Sequence, residues 1–139
     1  MQLQDFVKDG EPTMLDANGE HCLIVVKNGA TTGVTLGRAS GIESFVREYR
    51  DCAICSTSME VAVYSYSHKD GAFSARADSG SVVGDTNSRI VGMLTSGAGQ
   101  ANSTDVAYVS PYYFLDEHIK KAFPKSNSYL YPIPDPPPA

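Results

Sequence analysis

A chain of 139 residues with 42% hydrophobic and 19% charged side chains can bury one sizeable core, which excludes a fibrous or wholly unstructured polypeptide. Its net charge of −5 argues against nucleic acid or an anionic membrane as a partner. No run approaches the roughly 20 apolar residues of a membrane-spanning helix.

The opening "MQLQDFVKDGEPT" has no basic start followed by an apolar stretch, so it does not read as a signal peptide. Reduced thiols in a cytosolic setting are the corresponding expectation. Asp5, Asp9, Glu11, Asp16 and Glu20 make residues 1–20 an acidic arm, expected to be solvated. "HCLIVVKNG" then reads as a buried strand ending in a turn. "TTGVTLGRASG" follows as a β-branched stretch, with bends expected at Gly33, Gly37 and Gly41. In "GIESFVREYR", Ile42, Phe45, Val46 and Tyr49 fit a helical spacing, yet the run also suits a strand.

"DCAICSTSME" reads as a polar loop. Its Cys52 and Cys55 form a CxxC pair, but with Cys22 as the only further cysteine and no HxxxH the set falls short of a tetrahedral zinc site. No metal and no other cofactor is expected. "EVAVYSYS", "RIVGMLTSG" and "DVAYVS" read as strands. A closing helix is expected from Ser110 as cap and Pro111 in the first turn, with Tyr112, Leu115, Ile119 and Ala122 as its apolar stripe. Pro124 ends it, and residues 124–139 form a proline-rich tail. The expected architecture is all-β: one six-stranded antiparallel barrel over residues 21–123, with the helix appended.

Between these strands lies "FSARADSGSVV". A serine hydroxyl attacks a carbonyl only when a base takes its proton and oriented N–H groups receive the developing oxyanion. Asp-Ser-Gly alone is also ordinary turn chemistry. "ADSGSVV" followed by "RIVGMLTSG", with "KNGATTGVTLG" upstream and a closing helix, resembles the trypsin-like (chymotrypsin-fold) serine peptidases, in particular their fungal and glutamyl-endopeptidase-like members. The resemblance spans roughly residues 21–123.

It implies a Greek-key barrel corresponding to the C-terminal half of that fold, with Ile42 to Tyr49 as strand. It implies Ser79 as nucleophile and the amides of Ala77 and Ser79 as the oxyanion hole. Thr95, Ser96 and Gly97 match the strand edge that pairs with substrate, and Phe73 matches the floor of the specificity pocket. Two positions depart from the family pattern. Ala77 stands where the family has glycine, and alanine disfavours a positive φ by about 1–2 kcal/mol. The family's histidine base and orienting aspartate belong to a preceding barrel, for which the residues before His21 are too few.

Of His21, His68 and His118, only His68 lies in the segment leading to the serine, as a substitute base. The implied function is a serine endopeptidase-like domain, inactive alone. The alternatives are a non-catalytic module binding a peptide or protein partner, and an incomplete chain whose first barrel is encoded elsewhere. An unpaired half-interface implies self-association or capture of that barrel in trans.

Overall fold

The computed structural model describes residues 3, 5–7, 14–16, 18–50, 53–100 and 103–129. Over these residues the chain is mostly β, a single sheet with one short helix. Its strands are β1 (Asp5–Phe6), β2 (Met14–Leu15), β3 (His21–Gly29), β4 (Gly33–Arg50), β5 (Ala53–Ser65), β6 (Val82–Asp85), β7 (Arg89–Gln100) and β8 (Ser103–Pro111), and the helix is α1 (Tyr112–Ala122).

Neighbouring strands run β1-β7-β6-β3-β4-β5-β8, with β2 added on β3. β7 also pairs with β8, so the path returns on itself. The closure is uneven, because β4 has 18 residues and β6 only 4. The ladder is antiparallel except for β1, which joins β7 in parallel.

Period-two alternation explains the core. Leu23 and Val25 of β3, Val63 of β5, Val83 of β6, Leu94 of β7 and Val109 of β8 turn inward and are buried. They form one cluster, joined by Phe73 from the β5–β6 connection. Gly37 makes room for that ring, since a Cβ there would lie 2.6 Å from it. Gly41, at φ +78, sits where the β4–β5 register shifts between Ala39 and Glu43.

Residues 42–49 are strand, and Ile42, Phe45 and Tyr49 are exposed on it. Their helical spacing loses to the cross-strand pairing with β5, for example Phe45 with Met59. The polar loop expected at "DCAICSTSME" is instead strand from Ala53 onward, because the long β4 partner templates it. Cys52 and the side chain of Cys55 lie outside the described residues. Cys22 is a buried free thiol, and burial together with the Asp16 carboxylate pushes its pKa up.

Two further expectations change. Asp16 is buried rather than solvated, its carboxylate accepting the N–H groups of Asn18 and Glu20 and pairing with Arg38. Asp9 and Glu11 lie outside the described residues. Ser110 does not cap α1; the helix starts after Pro111 with no side-chain cap, and the Ser110 hydroxyl donates to Glu60. On α1, Tyr112 and Leu115 are half-buried while Ile119 and Ala122 are exposed. Asp116–Lys120 and Glu117–Lys121 pair one turn apart. Residues 130–139 of the proline-rich tail lie outside the described residues.

Candidate active site

Ser79 sits in the connection between β5 and β6, at the end of the sheet where β3 turns into β4. The connection enters through Phe73, whose backbone carbonyl accepts the Thr35 hydroxyl at 2.7 Å. Phe73 is 1% exposed and belongs to the core, so its ring is not the floor of an open pocket. Its place beside Gly37 and Val63 explains why.

Asp78 then turns inward and is fully buried. Its Oδ1 accepts the N–H of Thr31 at 2.7 Å and of Thr32 at 3.3 Å. Its Oδ2 accepts the Thr32 hydroxyl at 2.7 Å and the Ala75 N–H at 3.0 Å, with Lys27 Nζ 3.3 Å away. Burial alone would raise the carboxyl pKa. The Thr32 hydroxyl and the three amides outweigh it and hold the group well below the usual carboxylate range. Gly29 permits this approach: a Cβ there would overlap the Asp78 carboxylate and come within 2.9 Å of Lys27 Nζ.

The inward carboxylate leaves its neighbours outward. Ala77 and Ser79 are exposed, and Ala77 adopts φ 71, the left-handed region that glycine tolerates without strain. Asp78 N–H donates to Ala75 O at 3.2 Å, and Asp78 O accepts both Ser81 N–H at 3.1 Å and Ser81 Oγ at 2.6 Å. The N–H groups of Ala77 and Ser79 make no hydrogen bond to another described residue. Among the described residues these two N–H groups are therefore not taken up by the protein's own acceptors.

Ser79 Oγ donates to Thr95 O at 3.1 Å. Gly80 N–H donates to Leu94 O at 2.8 Å, and Leu94 N–H to Ser81 O at 2.9 Å, which stitches the turn to β7. Past Leu94, the side of β7 turned away from β8 has no strand partner among the described residues. Thr95, Ser96 and Gly97 line that edge, Thr95 half-buried and the other two exposed. Thr95 Oγ1 lies 3.1 Å from Tyr108 O and 3.3 Å from Glu60 Oε2.

No histidine hydrogen-bonds to Ser79. His68 is exposed and bonds to no other described residue, and His118 Nδ1 meets the Phe114 carbonyl at 2.8 Å on the helix. Among the described residues no group of His, Cys, Asp and Glu is placed to hold a metal.

Lys27, Thr32 and Glu60 were not singled out from the sequence. For Lys27 a signal exists: in "LIVVKNG" it continues the inward alternation of Leu23 and Val25, so a strand reading puts its side chain in the core. Compared with known proteins, the chain matches no family model and no curated protein.

Proposed function

We propose that this chain is a serine endopeptidase-like half-site of the trypsin-like type, a single Greek-key barrel that is inactive by itself. Ser79 is the nucleophile, and the amides of Ala77 and Ser79 receive the oxyanion of a tetrahedral intermediate. The observation that carries this reading is the exposed Ser79 beside two N–H groups that bond to no other described residue, at a left-handed Ala77. The missing part is the base. Losing a single member of a catalytic triad removes up to about a millionfold in rate.

The base comes from a partner. Val34, Leu36 and Val82 stand exposed at 71%, 48% and 49% on one outward face of β4 and β6, and Val82 is three residues past Ser79. A partner covering that strip, such as a first barrel supplied in trans or a second copy, sits beside the Ser79 hydroxyl. Sedimentation tests this part: a strictly monomeric chain that binds no hydrophobic dye would show the strip needs no cover.

A fluorophosphonate probe tests the chemistry. The isolated chain is expected to stay unlabelled, and added imidazole is expected to promote labelling that disappears in Ser79→Ala. Stoichiometric labelling without added base would overturn inactivity and make His68 the base. Absence of labelling under both conditions would favour the second reading, a non-catalytic module that pairs an extended peptide with the open edge at Thr95, Ser96 and Gly97.

A further inference from the structure

β4 and β5 run on as a two-stranded ribbon after their other neighbours stop. The outermost rung of β3 on β4 is Leu23 with Ala39, and that of β8 on β5 is Val61 with Val109. Beyond them β4 and β5 pair only with each other among the described residues, from Glu43 with Val61 out to Arg50 with Ala53. Directly paired residues share a face. Val61 packs on the core, so Glu43, Phe45, Arg47 and Met59 lie on the core side of the sheet. No core continues over them among the described residues. Phe45 is 71% exposed, Tyr49 62% and Met59 46%, whereas Ser44, Val46 and Ser58 on the other face are half-buried. An apolar face left more exposed than the one behind it reverses the usual order.

The charges on this face say what covers it. Glu43 and Arg47 stand two residues to either side of Phe45. Neither makes an ion pair with another described residue, and Glu43 accepts the Tyr113 hydroxyl at 2.9 Å. A two-fold axis through Phe45 lays one copy of the face antiparallel on another. It sets Phe45 against Phe45 and brings each Glu43 opposite the Arg47 of the other copy. We infer that this face of the β4–β5 ribbon is a self-association surface, and that its occupant is the same face of a second copy of the chain. It lies on the opposite side of β4 from Val34 and Leu36, and it does not rest on the reading of Ser79. A face two strands wide and about 25 Å long is at the small end of specific interfaces, so association in the micromolar range is expected.

Sedimentation equilibrium of the full chain tests this. The wild type is expected to form a concentration-dependent dimer, and Phe45→Ser to weaken it by about tenfold or more. Glu43→Arg and Arg47→Glu each set like charges opposite one another and are expected to weaken it comparably. An equimolar mixture of those two variants is expected to restore it, because one copy then presents two cations and the other two carboxylates. A chain that stays monomeric at every concentration would overturn the inference, as would a mixture that associates no more tightly than its components. Val34→Ser is expected to leave the dimer intact. A dimer that survives Phe45→Ser and is lost in Val34→Ser would sit on the strip beside Ser79 and overturn the inference too. If Phe45→Ser does not fold, the charge-reversed pair decides alone. None of these measurements uses the Ser79 hydroxyl, so a failed labelling experiment leaves this test standing.

Discussion

Two turns flank β6, each built on a fully buried aspartate and each holding a non-glycine residue at positive φ. At the far end, Asp85 Oδ1 accepts the N–H groups of Asn87 and Arg89 at 2.9 and 2.8 Å, its Oδ2 takes Arg89 Nε at 2.7 Å, and Ser88 sits at φ 62. These partners of that carboxylate all lie within four residues of it. At the near end, Asp78 draws most of its partners from Lys27, Thr31 and Thr32, more than forty positions away. The first turn can form from its own few residues. The second exists only after β3 and β4 have paired, and that is the turn carrying Ser79.

The largest expected effect separates the two. Lys27→Met strands a buried carboxylate and is expected to cost about 3–5 kcal/mol in urea unfolding. Asp85→Ala is expected to cost less, about 1–3 kcal/mol, because Arg89 is 32% exposed and returns to water while only the turn amides lose their acceptor. Equal losses would break the contrast.

The near turn also has a pH signature. Asp78 stays ionised in the folded protein at a pH where the unfolded chain binds its proton. Its contribution is therefore complete above the ordinary carboxylate value of 3.8 and drains away as pH falls below it. Asp78→Asn is expected to flatten the acid limb of the stability profile, measured as unfolding free energy against pH.

Gly29→Ala pushes a methyl group into the Asp78 carboxylate and is expected to cost about 1–3 kcal/mol. The same substitution at Gly33 (φ +64), where a Cβ meets nothing within 4 Å, strains the backbone without crowding the ion pair. Only the first is expected to disturb the Ser79 amide signal.

The smallest effects concern the left-handed positions. Ala77→Gly and Ser88→Gly each relieve about 1–2 kcal/mol of steric cost against roughly 0.5–1 kcal/mol of added backbone entropy loss, so stability is expected to rise by at most about 1.5 kcal/mol. Gly19 shows the relaxed version. "DANGE" and "DTNSR" make the same turn around Asp16 and Asp85, with glycine at the left-handed place in one and serine in the other. Chemical denaturation of Ser88→Gly beside Gly19→Ala is expected to show shifts of opposite sign.

Much of the sheet was legible because alternation is local. "HCLIVVKNG" coincides with β3, and the β7 and β8 runs lie within their observed strands. The segment from Ala53 was not legible, since its polar residues say nothing about the long partner strand that pairs with them. Ser110 illustrates another failure. A helix cap and a partner for a buried carboxylate need the same hydroxyl, and only the position of Glu60 across the sheet decides between them.

At the candidate site the division is sharper. Asp-Ser-Gly and an exposed turn follow from residue chemistry, and the strain at Ala77 follows from its Cβ, so these were present in the chain before any folding. That Phe73 lies in the core, that the Ser79 hydroxyl bonds to Thr95 O rather than to His68, and that Lys27 meets Asp78 were all settled by long-range packing. A buried charge has no local signature beyond an inward register. Its partner is whichever opposite charge the fold brings within about 4 Å, and docking of the β5–β6 connection on the β3–β4 turn makes that Asp78.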